Sequence, residues 1–312
     1  MTSPKRMPII ETQDVDGIEL RTARWTSASN SRQATLLFFN GIGANLELTL
    51  GLGDMFPDRD IITFDVPGVG LSPVTSWPYR PWMLARWARK LLDLHDIEEV
   101  DVMGVSWGGA MAQQFAFQYR RRVGKLVLCA TTAGMTMIPG HPKSLSKMVD
   151  TRRYSDPEFM RKSFESLYGE AVDGEAGSHI DNLLPPDPKG YIYQLLAFVG
   201  WSSLPFIRFL TMPTLVLMGD RDTIVPVANG HILRVALPDA ELKVIEGGGH
   251  LFLVTRAEET ADLIRVTPAN RSKSGHAGLD MEIDQRRILA WLSFRQQPAE
   301  RPTKARHRGI SV

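Results

Sequence analysis

The sequence predicts an α/β fold in which a mostly parallel, doubly wound sheet carries an inserted helical cap. Six short, largely apolar runs recur along the chain, as strands buried on both faces of a parallel sheet do. Amphipathic helical patterns stand between several of them, which gives right-handed strand–helix–strand crossovers. One long interval, between Thr132 and Met212, breaks the alternation and holds no parallel-strand run.

Taken in order, "MPIIETQDVDGIELRTARWT" alternates apolar and polar residues around Asp16-Gly17, the pattern of a β-hairpin with a two-residue turn. The buried strands follow: "TLLFFN" (35–40), "DIITFDVP" (60–67), "EVDVMGVS" (99–106), "KLVLCATT" (125–132), "PTLVLMGD" (213–220) and "AELKVIEG" (240–247). In "MLARWARKLLDLHD", Leu84, Trp87, Leu91 and Leu94 recur at helical spacing, with Arg86, Arg89 and Lys90 off that face. "WGGAMAQQFAFQYRRR" and "PVANGHILRVAL" supply two more helices, and His95 reads as a helix C-terminal cap. Residues 1–132 and 211–297 are expected to form the core, and 133–210, rich in Met, Pro, Tyr and Trp, the cap over the sheet's carboxyl edge, where such folds bind ligands. Past "HLFLVTRAEETADLIRV", the polar loop "TPANRSKSGHAGLD" precedes a further helical pattern, "MEIDQRRILAWLSFRQ". Residues 298–312 read as a disordered basic tail.

Composition narrows the partners. The 36 lysines and arginines nearly balance the 35 aspartates and glutamates, so no global field recruits nucleic acid or an anionic membrane. A single cysteine, Cys129, precludes an internal disulfide and a cysteine-built zinc site, in keeping with a reducing cytoplasm. The N-terminus lacks an apolar signal core, and no run reaches the length of a membrane span. The expectation is a cytoplasmic protein with no metal and no transmembrane segment.

The chemistry starts at Gly104-Val105-Ser106-Trp107-Gly108, a G-x-S-x-G pentapeptide between an apolar run and an amphipathic one. At a strand-to-helix junction this is a nucleophile elbow: the tight turn strains the serine backbone and holds its hydroxyl out over the sheet edge. A serine hydroxyl is a weak nucleophile at neutral pH, so it needs a histidine to accept its proton and a carboxylate to orient that histidine. "GDRDTIVP" and "EGGGHLFL" follow at the ends of later strands and offer Asp222 and His250, giving the chain order Ser, Asp, His. Asp220 competes with Asp222; the acid that stands a few residues before Val225-Pro226 is preferred, with Asp220 forming the turn. Three glycines before His250 form a loop flexible enough to reach the serine. The oxyanion created by attack is expected to meet the backbone N–H of Trp107 and a second N–H from "FFNGIGANLEL", assigned to Ile42 with Gly43 as the close alternative. In the cap, Met135, Phe198 and Trp201 stand among apolar residues numerous enough to line a channel.

Beyond these motifs, "FFNGIGANLEL", "FDVPGVGLS", "GVSWGGAMAQQFA", "LVLCATTAGMTMIPGHPK", "RRY" and "GHLFLVTRAE" resemble the intracellular medium-chain-length polyhydroxyalkanoate depolymerases of the α/β-hydrolase superfamily, from about Leu36 to Glu259. The resemblance implies a Ser106–His250–Asp222 triad, a storage polyester of 3-hydroxy acids as substrate, work at intracellular granules and no cofactor. The chain departs from that family in having Asn40 where many hydrolases have histidine, glycines where acidic residues often precede the histidine, and an interruption after "TRAE". A serine esterase or C–C bond hydrolase acting on a small soluble substrate would use the same three residues. A haloalkane dehalogenase would need aspartate, and a polyester synthase cysteine, where Ser106 stands.

Overall fold

The computed structural model describes residues 6–27, 33–148, 150, 152, 156–169 and 181–266. The "TPANRSKSGHAGLD" loop, the helical pattern after it and the basic tail lie outside the described residues.

The chain opens with the expected hairpin, β1 (Ile9–Val15) and β2 (Ile18–Trp25). Its two-residue turn places both Asp16 (φ 59°) and Gly17 (φ 76°) in the left-handed region, the geometry a tight hairpin demands. Six strands follow: β3 (Thr35–Phe39), β4 (Ile61–Phe64), β5 (Val100–Val105), β6 (Val123–Cys129), β7 (Thr214–Gly219) and β8 (Ala240–Ile245). They join the hairpin in one sheet of order β1-β2-β4-β3-β5-β6-β7-β8. Every pair from β4 to β8 across this order is parallel, and β2 pairs antiparallel with β4. This is an α/β-hydrolase sheet, as the strand runs and the elbow predict.

The continuous apolar runs find their reason in the alternation of side chains. On β3, Leu37 and Phe39 enter one core cluster, and Leu36 and Phe38 enter the cluster on the opposite face. β7 divides in the same way, Val216 and Met218 against Leu215 and Leu217. With both faces covered no polar alternation can survive, and each buried leucine or phenylalanine contributes about 2 kcal/mol of transfer free energy.

The helices that cover the sheet are α1 (Leu52–Met55), α2 (Pro81–Leu94), α3 (Trp107–Gln118), α4 (Pro142–Met148), α5 (Pro157–Tyr168), α6 (Pro188–Phe198), α7 (Ala228–Ala236), α8 (Phe252–Thr255) and α9 (Ala257–Val266). On α2 the buried stripe is Leu84, Ala85, Trp87, Ala88, Leu91 and Leu92, whereas Leu94, expected on the same face, is exposed. At 100° per residue Leu94 falls about 100° from the centre of that stripe.

Helices α4, α5 and α6 all lie between β6 and β7. This segment meets the rest of the chain at close quarters: a Cβ on Gly68 would stand 2.4 Å from Gly190 Cα, and Asp187 N–H donates to Gly68 O at 3.0 Å. Arg80 adds hydrogen bonds to the carbonyls of Leu196 (2.9 Å) and Val199 (3.2 Å) at the end of α6. Among the described residues no helix is long and apolar enough to cross a membrane.

Candidate active site

Ser106 follows β5, and the Asn40–Asn45 loop follows β3. β3 and β5 are neighbours at the point where the chain order of the sheet reverses, so a crevice opens there at the strands' carboxyl ends. Ser106 has φ 55° and ψ −121°, a strained conformation for a residue with a side chain, costing about 1–3 kcal/mol. The turn is held by Ser106 N–H donating to Cys129 O (2.9 Å) and by the Thr131 hydroxyl donating to Ser106 O (2.7 Å). Glycine is required at the flanks for want of space: a Cβ on Gly104 would stand 2.3 Å from Gly108 O, and one on Gly108 2.2 Å from Phe39 O.

His250 and Asp222 reach this turn from the ends of β8 and β7. His250 Nε2 lies 3.0 Å from Ser106 Oγ, and its Nδ1 lies 2.7 Å from Asp222 Oδ2. A carboxylate only accepts, so Nδ1 carries the proton and Nε2 is left to accept from the serine hydroxyl. Asp222 Oδ1 accepts two more hydrogen bonds, from the N–H groups of Ile224 and Val225, both at 2.8 Å. The Asp222 side chain is wholly buried and that of His250 nearly so. Asp220, by contrast, is exposed. Cys129 is fully buried on the strand behind Ser106, and desolvation raises its thiol pKa far above the ordinary value, which keeps it unreactive.

The glycines before His250 serve a different purpose from flexibility. Gly248 N–H donates to Ile245 O, and Arg221 N–H to Gly248 O at 2.9 Å. A Cβ on Gly219 would stand 2.2 Å from Gly248 O. The loop is therefore packed backbone to backbone against the turn that carries Asp222.

Trp107 is the first residue of α3, so its N–H has no intrahelical acceptor and faces the turn before the helix. Gly41 brings the opposite loop close, since a Cβ on it would stand 4.0 Å from Ser106 Cβ. Asn40, where many hydrolases have histidine, braces this loop from within. Its Oδ1 accepts from Gly41 N–H at 2.9 Å, and its Nδ2 donates to Ala44 O and Asn45 O. Of the two amides considered at sequence level, Gly43 N–H is engaged by Gln194 Oε1 at 2.9 Å.

Two residues at the site escape a reading from sequence. Tyr168 accepts from His250 N–H through its carbonyl (2.7 Å) and lays its ring parallel to the imidazole, 6.2 Å between centroids. Gln194, 1 % exposed, ties Gly43 through its side chain and accepts from the Trp107 indole N–H at 3.0 Å through its backbone carbonyl. The only hint in sequence is that Gln194 is a polar residue inside the apolar run "YIYQLLAF".

Of the three apolar residues singled out in 133–210, Trp201 meets α3 well beyond Ser106 and the other two touch Trp201. Trp201 Nε1 donates to Gln114 Oε1 at 2.8 Å, eight residues and about 12 Å of helix rise beyond Ser106. Phe198 rests against Trp201 at 6.0 Å, and Met135, more than half exposed, donates its N–H to Trp201 O. His95 turns its ring to Gln13 (2.9 Å) and towards Glu11 (3.9 Å) on β1, with burial lowering its pKa.

The arrangement matches a known family. Residues 34–168 match the model described as "alpha/beta hydrolase fold". A poly(3-hydroxyalkanoate) depolymerase of Ectopseudomonas oleovorans is 43 % identical over 260 residues, 82 % of this chain and 91 % of that protein. The chain belongs to the α/β-hydrolase family. It is an ester hydrolase. More distant from this hydrolase is a 2-hydroxy-6-oxononadienedioate/2-hydroxy-6-oxononatrienedioate hydrolase of Pseudomonas sp, 28 % identical over 68 % of this chain and 78 % of its own. Among solved structures an esterase from Exiguobacterium antarcticum superposes with a TM-score of 0.70 at 18 % identity, covering 83 % of this hydrolase and 98 % of that chain, a likeness of fold.

Proposed function

We propose that the hydrolase cleaves the ester bonds of poly(3-hydroxyalkanoate), of medium side-chain length, through a Ser106–His250–Asp222 triad, with residues 133–210 acting as the cap over the site. The observation that carries the substrate is the 43 % identity extending over 91 % of a named depolymerase. The hydrogen-bonded line from Ser106 through His250 to Asp222 supports the mechanism.

Ser106 Oγ attacks the ester carbonyl carbon as His250 Nε2 takes its proton. The negative charge that develops on the carbonyl oxygen is met by the N–H groups of Trp107 and Ile42. Collapse expels the alcohol of the next unit, which leaves with the proton from Nε2, and an acyl-serine remains. Water then attacks it with His250 as base, releasing the 3-hydroxy acid and restoring Ser106. Asp222 keeps the imidazole in the tautomer that both half-reactions need and stabilises its cation. No cofactor enters the sequence.

Between Gly190 and Ile207 the chain carries no Asp, Glu, Lys or Arg, while Ile192, Leu195, Leu196 and Leu204 are each more than a third exposed. Such a surface suits a neutral polymer with alkyl side chains. The granule is then the place of work, within the cytoplasm. The test is release of 3-hydroxy acids from amorphous poly(3-hydroxyoctanoate) by the purified protein, with Ser106→Ala as control. Brisk hydrolysis of soluble p-nitrophenyl esters with none of the polymer overturns the substrate and leaves the triad standing, whereas an active Ser106→Ala overturns the triad.

A further inference from the structure

A pocket between the Asn40 loop and Trp107, the residue after Ser106, is lined by Phe39, Asn40, Gly41, Ala44, Phe64, Val66, Trp107 and Gln194. None of these side chains is charged. The Gln194 amide is oriented by its own partner: Gly43 N–H is a donor, so the atom it meets at 2.9 Å is Oε1. The other branch, Nε2, has no acceptor among the described residues, although the residue is 1 % exposed. Nε2 is not among the side-chain atoms sealed from solvent without a partner, so both its N–H bonds stay available to an acceptor that enters the pocket. Gln194 stands in the lining of the pocket that Gly41 and Trp107 also form, tied to the Gly43 amide on one side and to the Trp107 indole on the other.

We infer that Gln194 is a substrate-binding residue whose Nε2 donates to an uncharged oxygen of the ester chain, the carbonyl oxygen of the unit next to the one attacked. This deepens the proposed function and rests on its polymeric substrate. The chemistry of the pocket selects that oxygen. A carboxylate would be desolvated there with no cation to meet it, and an alkyl group would leave both N–H bonds unmade. An ester carbonyl accepts and carries no charge. The same side chain then performs two tasks, since Oε1 fixes the Gly43 amide while Nε2 reads the chain. A mono-ester offers the second task nothing to read, so Gln194 distinguishes a polymer from a simple ester by the presence of a second carbonyl.

The experiment compares two substrates on the whole protein: the linear trimer of 3-hydroxyoctanoate as its methyl ester, and p-nitrophenyl octanoate. Gln194→Met removes both tasks, and Gln194→Glu keeps an acceptor for Gly43 while removing the donors. Any disturbance of the loop or of local charge lowers kcat/KM for both substrates alike and cancels in their ratio. The expected result is a fall of about tenfold or more in the trimer-to-monoester ratio for both variants, the loss of a buried hydrogen bond. Fluorophosphonate labelling of Ser106 in each variant shows that the site is assembled. An unchanged ratio, with or without a common loss of rate, overturns the assignment of Nε2 to the second carbonyl and leaves the depolymerase reading intact. Wild-type protein that hydrolyses the monoester but not the trimer overturns the polymeric substrate, and the inference with it.

Discussion

Asp222→Asn isolates the orienting role of the acid because the rest of its surroundings can stay in place. Asn Oδ1 can still accept from the N–H groups of Ile224 and Val225, each at 2.8 Å to the native oxygen. The amide NH₂ then occupies the position of Oδ2, 2.7 Å from His250 Nδ1. Two donors cannot face each other, so the imidazole is driven to the tautomer with its proton on Nε2, the atom 3.0 Å from Ser106 Oγ. A protonated, neutral Nε2 cannot take the serine proton. Loss of this kind in triad enzymes lowers turnover by roughly 10³ to 10⁴, equivalent to about 4–5.5 kcal/mol of transition-state stabilisation. The stability cost should stay near 1 kcal/mol, the net worth of one hydrogen bond. Turnover of p-nitrophenyl octanoate, with thermal melting of both proteins, measures the two effects. Asp220→Asn, at an exposed position, should leave turnover within about twofold. More than a tenth of wild-type turnover in Asp222→Asn, or a larger loss in Asp220→Asn, refutes the reasoning.

Three further outcomes are expected. Gly108→Ala forces a Cβ to 2.2 Å from Phe39 O and 2.3 Å from Asn40 O, both backbone, so it should destabilise by about 1–3 kcal/mol and separate α3 from the Asn40 loop; chemical denaturation checks the first and fluorophosphonate labelling the second, and a wild-type midpoint sinks the steric argument. Burial pushes Asp65 up to about 7 against the pull of Arg21, so from about pH 4 to 7 the folded chain holds a proton that the unfolded chain has released, and the associated stability, fully present below pH 4, is lost as pH rises through 7. The difference in melting temperature between Asp65→Asn and wild type should accordingly move in favour of the variant from pH 5 to pH 8, and a flat or opposite trend counts against it. Finally, at about 0.8 kcal/mol per buried methylene, poly(3-hydroxyoctanoate) should exceed poly(3-hydroxybutyrate) by roughly two orders of magnitude in kcat/KM on amorphous granules of equal surface area; equal rates remove the medium-chain preference.

The parts of the molecule that sequence reveals are those set by short-range rules. Strands β3 to β7 announce themselves because burial on both faces leaves few polar residues, whereas β8, at the edge, keeps Glu241 and Lys243 and is only partly covered. The elbow is visible because Gly104 and Gly108 answer to backbone atoms only a few residues away or on the adjacent strand. The order Ser106, Asp222, His250 follows from each standing at the end of a strand. What stays hidden depends on partners distant in the chain. Gln194 meets Gly43 across 151 residues, and no local pattern marks a glutamine that will face a loop rather than a solvent. Tyr168 acts through its carbonyl, which its identity does not encode. The glycines before His250 suggested mobility, yet their use is close approach to Gly219, a fact about the neighbouring strand and not about the loop.

Both of these hidden contacts come from the segment between β6 and β7, and this affects how the molecule can be recombined. Tyr168 holds His250 from one helix of that segment, and Gln194 holds Gly43 and Trp107 from another. A chimera that grafts the corresponding stretch from a distant homologue would exchange more than the walls of the binding site; it would also withdraw the fastenings of the histidine and of the loop opposite the serine. Families built this way cannot trade specificity as a detachable module, and successful grafts should be those whose donor supplies an acceptor for residue 43 and a carbonyl for residue 250.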